Sequence, residues 1–322
     1  MAKDEKPQSE PGSAAGSAGT QAARILAILG VNAILVLMVV VFTATERGEL
    51  PDLNAKTLQI GLLPVSAAIG LILACRRIDL ALPAVLGLLF ALHTNTHILS
   101  SDPTIRLATL CGIGAGIGLA SAIVTWFGRI SSALWTALLA IGLWFLAMTF
   151  GTWGGFAPAG WPWPAALAAS LGALIVGGAL LGATGLVVLP SQPPIIRSGS
   201  GGIIGLTGAW MIAGISLALA AQSEIAHCLA DRPQLAYPPV LAAAALGGAY
   251  ILRGRWGAPV AVILTGAGHL AWSFALSADL GSKILDLAVP AAAPLVAVPL
   301  YLAIDWAVRH STSESAPTGI LA

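Results

Sequence analysis

Few residues in this chain can do chemistry, and each stands beside apolar sequence. Asp79 closes the charged cluster of "RRIDL" (76–80), between two long oily runs. Just inside a helix start it would cap the free amides there and be favoured by the helix dipole. As an ionisable group at membrane depth it would be a gate or helix-terminus element. His93, Asn95 and His97 lie in "HTNTH" (93–97), the two histidines one helical turn apart. That spacing can ligate a metal, but no third ligand or glutamate base follows as in a zinc protease helix. Polar capping of an outer helix end is the preferred reading, with His93 and Asn95 as candidates to face an incoming solute. His269 falls mid-run in "ILTGAGHLAWSFAL" (263–276) and needs either an interhelical partner or an aqueous cavity. Trp272, three residues on, suits ring stacking on a sugar or core packing.

No nucleophile–base pair, carboxylate dyad or metal cluster accompanies these residues, so no catalysis is expected in this chain and no cofactor is called for. Cys75, Cys111 and Cys228 are too scattered for a disulfide framework or a zinc site. "CGIGAGIGLASA" (111–122) reads as a helix-packing face rather than a phosphate loop, because no lysine or strand-to-helix context accompanies it.

The elements that must position these groups are set by composition. Hydrophobic residues make up 57% of the chain and charged residues 9%, and mean hydropathy is +0.89. Apolar runs repeatedly reach the roughly 18–20 residues that cross a bilayer. They are continuous rather than alternating, which excludes a β-barrel. The fold class is an all-α polytopic membrane protein of about ten transmembrane helices, near 24–44, 57–75, 80–97, 105–127, 130–150, 164–188, 203–221, 238–252, 257–277 and 284–308. The eighth is short and reads as a broken or tilted span. The last carries Pro290, Pro294 and Pro299 and is expected to kink.

Residues 1–20 form a polar Gly/Ser/Ala-rich tail expected to be disordered, 21–310 the transmembrane domain and 311–322 a short second tail. An even number of spans places both termini on one face. With that face cytoplasmic, ten of the fifteen basic residues lie inside, among them Arg24, Arg76, Arg77 and Arg129. Trp153, Trp161 and Trp163 then mark an outer interface. Asp305 and Arg309 form an i,i+4 pair at the inner boundary. A net charge of +1 argues against a nucleic-acid partner.

Three stretches resemble the permease subunits of ribose-type ABC importers, the monosaccharide and branched-chain amino acid superfamily. "RRIDLALP" (76–83) keeps the Ile-Asp-Leu centre of that family's Gly-Ile-Asp-Leu-Ser-Val-Gly signature but not its glycines or serine. "RISSALWTALLAIG" (129–142) keeps Ile130 and Thr136 of a second motif, with Ser131 and Ser132 in place of two prolines. "LGGAYILRGRWG" (246–257) places Gly247, Gly248 and Gly254 in register with a glycine-rich loop. The resemblance covers residues 53–309.

It implies an ABC importer permease in a bacterial inner membrane, with N- and C-termini cytoplasmic. The implied partners are ATP-binding cassette subunits inside, a periplasmic solute-binding protein outside, and a second permease or another copy of the chain. The solute would be small, polar and sugar-like. The matching ATPase-coupling segment is "SQPPIIRSGSGGI" (191–203). Pro193, Arg197 and Gly199 align there, Ile195 and Ile196 serve as apolar anchors, and Arg197 as a polar clamp. The rival classes are a secondary transporter and a non-transporting membrane subunit descended from a permease.

Overall fold

The computed structural model describes residues 12–47, 57–75, 77–95, 98–100, 102–128, 130–151, 160–184, 200–223, 237–252, 256–276 and 283–314. Ten helices occur among them, each overlapping one of the ten apolar runs: α1 (Gly12–Arg47), α2 (Thr57–Ala74), α3 (Leu82–Thr94), α4 (Pro103–Phe127), α5 (Ser132–Gly151), α6 (Trp163–Ala183), α7 (Ser200–Ala220), α8 (Tyr237–Leu246), α9 (Gly257–Leu276) and α10 (Lys283–Glu314). There is no named strand among the described residues. Five stretches are long and apolar enough to cross a membrane: Gly19–Val41, Pro103–Phe127, Ser132–Phe150, Trp163–Ala183 and Ile203–Ala220.

The outer surface agrees with that reading. Leu134, Leu138, Ile141, Phe145 and Met148 line one side of α5 and are exposed, Phe145 to 72%. Leu26, Ile34 and Leu37 on α1 and Leu295 and Leu302 on α10 do the same. Large aliphatic and aromatic side chains in continuous exposed stripes suit lipid rather than water. By contrast α3 is buried along twelve consecutive residues, Leu82 to His93, and α2 from Leu62 to Ile72 is buried throughout. These helices form the centre.

Their packing is duplicated. α4 lies against α7 and α9 against α2; α3 packs on α5 and α8 on α10; α3 touches α7 and α8 touches α2; α3 meets α4 and α8 meets α9; and α2 meets α7. Each pair maps onto the other when α2–α5 is superposed in order on α7–α10. The registers match too. Ser66 pairs with His269 and Gly70 with Thr265, four residues apart on each helix and running antiparallel. Gly118 meets Trp210 and Gly114 meets Gly214 with the same spacing and sense. The short helices α3 and α8, of thirteen and ten residues, hold equivalent places. α1 and α6 lie outside this scheme, α6 on α2, α7 and α9, and α1 on α9 and α10.

Two sequence expectations are revised. α1 begins at Gly12, so residues 12–20 are helical rather than disordered. Ala14, Ala15 and Ala18 are good helix formers, and propagation from an existing helix costs far less than nucleation. α10 likewise runs on to Glu314, four residues past the expected domain boundary at 310, and is continuous through its three prolines. Arg24 Nε donates to Asp305 Oδ1 at 2.8 Å with both side chains buried. Arg24 is near the start of the α1 apolar run and Asp305 near the end of the α10 run, so both termini leave the bundle at one end. Asp305 thus has a cross-helix partner; the side chain of Arg309, its expected i,i+4 partner, lies outside the described residues.

Candidate functional site

α2 ends at Ala74 and α3 starts at Leu82, leaving a non-helical stretch among buried helices. Such backbone survives at membrane depth only when the protein satisfies its polar groups. Here it does. The Ile78 amide donates to Ser132 Oγ at 3.3 Å and the Leu80 amide to Thr136 Oγ1 at 3.0 Å, both from the first two turns of α5. The Ala81 amide donates to Asp79 Oδ1 at 2.7 Å. Ala81 is the N-cap of α3 and has no side-chain cap of its own, and Pro83 sits in the first turn, where its missing amide costs nothing.

Asp79 lies three residues before the first helical residue of α3 rather than just inside its start, and its carboxylate accepts an amide there, as the capping reading expects. Its second oxygen, Oδ2, accepts from Trp210 Nε1 at 2.5 Å. Trp210 lies ten residues from either end of α7, which is ~15 Å along the helix. The carboxylate thus sits at the middle of α7 rather than at a span end. Asp79 and Trp210 are 3% and 1% exposed. One acidic side chain therefore ties the break in the first repeat to α7, the first helix of the second.

Beside this bond is a cavity of about 10 Å³ lined by Asp79, Leu82, Ile117, Ser121, Trp210 and Gly214, among others. That volume is near the threshold for one water molecule. Anything larger would need α4, α7 and the break to move apart. The α4–α7 contact closes the cavity's wall: Gly114 and Gly214 touch backbone to backbone, and Gly118 meets the Trp210 carbonyl.

The other sequence candidates fall in separate places. His269 is 1% exposed and its Nδ1 lies 2.7 Å from Ser66 Oγ, an interhelical bond between α9 and α2. Trp272 is buried and its Nε1 donates to Asn32 Oδ1 at 3.1 Å, so it bridges α9 to α1 and has no open ring face for stacking. His93 is buried inside α3, which ends at Thr94; Asn95 is extended (φ −90°, ψ 95°) and its Nδ2 donates to the Phe150 carbonyl at 3.2 Å. The helical spacing assumed for "HTNTH" stops there, and His97 lies outside the described residues. Among the described residues, which leave out His97, no group of three or more metal-ligating side chains occurs.

Gly247 and Gly248 follow α8 directly. A Cβ on Gly247 would collide with Thr265 of α9, and Gly248 adopts φ +61°, with its Cβ position 2.6 Å from Ile28 Cδ1 of α1. Both glycines permit close approach. The carbonyl left free where α8 stops at Leu246 is taken by Asn32 Nδ2 at 2.8 Å and Tyr301 OH at 3.1 Å. Gly254 and residues 191–199 of the coupling segment, with Pro193, Ile195, Ile196, Arg197 and Gly199, lie outside the described residues; its last four residues open α7.

Sequence reasoning missed Trp210, Asn32, Tyr301, Ser66 and the Arg24–Asp305 pair. Thr136 carried a signal as part of a motif, and the structure gives it a local reason: it holds the break. No family model, curated protein or solved structure matches the chain.

Proposed function

We propose that this chain is the permease subunit of an ABC importer of a bacterial inner membrane, moving a small polar solute by ATP-driven alternating access. The observation that carries this reading is the Asp79–Trp210 bond. It lies in the break where the Ile-Asp-Leu likeness falls, and it joins the two repeats beside a cavity sized for one water. The helix order repeats with an offset of five, and the short helices α3 and α8 hold equivalent places in the two halves. Paired repeats meeting at discontinuous helices are how alternating-access proteins place a central path. Motion that parts α4 from α7 would open it. The force would come from ATPase subunits acting on 191–203, where Ile195, Ile196 and Arg197 are the docking residues.

Asp79 also favours a second reading. A carboxylate at mid-depth is the usual ion-coupling element of a secondary transporter. The same preparation separates the two. Tagged full-length chain purified in mild detergent from source membranes should bring an ATPase subunit with it, and the Ile195→Asp, Ile196→Asp double variant should lose that subunit. Uptake should stop on ATP depletion with the proton gradient intact. Absence of any ATPase, together with uptake that collapses under a protonophore, would favour the secondary transporter. Absence of both would leave a non-transporting subunit.

A further inference from the structure

α1 exposes Leu26, Ile34, Leu37 and Met38. Among its described side chains the buried ones are Arg24, Ile28 and Asn32, each four residues from the next and so on one face of the helix. Two of the three are polar. No hydrophobic force seats a helix on its neighbours in lipid, and side-chain hydrogen bonds serve instead. Arg24 holds Asp305 of α10 at 2.8 Å. Asn32 lies about two turns further on, in the middle of the apolar run Gly19–Val41, where an unpaired amide would be costly.

That amide is fully used. Asn32 Nδ2 donates to the Leu246 carbonyl at 2.8 Å and lies 2.7 Å from the Tyr301 hydroxyl and 2.9 Å from the Ile28 carbonyl of its own helix. Its Oδ1 accepts from Trp272 Nε1 at 3.1 Å. The buried Tyr301 hydroxyl reaches the same Leu246 carbonyl at 3.1 Å. The last carbonyl of α8 is thus gripped from α1 and α10 at once, and α9 holds the other side of the asparagine. None of these side-chain atoms is left without a partner. Ile28 covers the turn that follows, its Cδ1 2.6 Å from the Cβ position of Gly248. A buried polar set that satisfies itself in this way is rigid.

We propose that α1 is a strap that locks the end of α8, with Asn32 as its latch, Ile28 as its cover and the Arg24–Asp305 pair as its anchor. The turn at 247–252 then stays shut, while the break at Asp79, which has a cavity beside it, is the one that opens. The lock itself needs no transport. Which break opens rests on the permease reading and narrows it, because the end of α8 is excluded from the moving parts.

The test is hydrogen–deuterium exchange of the full-length chain in phosphatidylcholine nanodiscs, read by mass spectrometry on peptides covering 246–252, 77–82 and α4. The reporting amides of the turn are those of Gly248 and Ile251, bonded to the Ala245 carbonyl at 3.3 Å and the Gly248 carbonyl at 3.0 Å. In wild type, 246–252 should exchange more slowly than 77–82. Asn32→Leu keeps the size of the side chain but removes its donor and acceptor. Exchange over 246–252 should then rise roughly tenfold or more, with α4 unchanged. Tyr301→Phe, which takes away one hydroxyl, should act in the same direction and less. Exchange over 246–252 that is equal in wild type and Asn32→Leu, or that rises only together with α4, overturns the proposal. Should neither variant fold, wild type decides: slower exchange at 246–252 than at 77–82 supports the lock, and equal or faster exchange removes it. Because exchange is read without ATP, solute or partner, this result stands apart from whether an ATPase co-purifies.

Discussion

Gly214→Ala is expected to lower stability by about 3 kcal/mol or more and to deplete the folded, monodisperse protein recovered in detergent. The added methyl would meet the Gly114 carbonyl group on the facing helix, and backbone cannot rotate away as a side chain can. Overpacking a tight contact typically costs about 1–3 kcal/mol, and this one is backbone against backbone. Gly114→Ala should behave alike. The informative controls sit on the same helix: Gly112 and Gly116 have nothing within 4 Å of a Cβ position. Alanine there should leave the melting temperature unchanged or slightly raised, since alanine is the better helix former. Thermal unfolding followed by size-exclusion chromatography of fluorescent fusions measures all four. Equal tolerance at positions 112 and 214 would mean that α4 and α7 do not meet as described.

The second large effect is expected at the Arg24–Asp305 pair. Asp305→Ala leaves a buried guanidinium without its carboxylate, and breaking one side of a buried pair costs about 3–5 kcal/mol. Arg24→Met should be similarly damaging. The double variant Arg24→Met, Asp305→Leu removes both charges, and replacing a buried pair by apolar side chains is often near neutral. It should therefore recover most of the loss. The same melting assay checks this, and a double variant no better than the sum of the singles would show that the two residues are not partners.

Much of the architecture was legible one segment at a time. Apolar runs located all ten described helices, and the run at 238–252, too short for a straight span, is broken after Leu246. His269, placed mid-run in a glycine-rich segment, could be read as needing an interhelical partner, and Ser66 supplies one. What could not be read was who meets whom. In "CGIGAGIG" the four glycines look equivalent, yet Gly114 and Gly118 are packed while Gly112 and Gly116 face outward, because the helix phase is set by α7. Asp79 was expected at a helix start because nothing local says that α3 waits until Leu82. Its turn is held by Ser132 and Thr136, more than fifty residues away, and its carboxylate by Trp210, 131 residues away. Arg24 and Asp305 each looked like an ordinary boundary charge, since their pairing spans 281 residues. Periodicity and composition report local preference, and these contacts are made only when the helices assemble.

The claim that ATP drives the repeats apart at the Asp79 break is tested most directly at Ser121, a buried wall residue of the cavity. On a background with Cys75, Cys111 and Cys228 changed to alanine, Ser121→Cys is labelled by a small thiol reagent in inside-out native membrane vesicles. Labelling should be slow without nucleotide and several-fold faster during ATP turnover. A rate that stays slow and unchanged when ATP is added, in vesicles whose ATPase is shown to be active, would contradict the account.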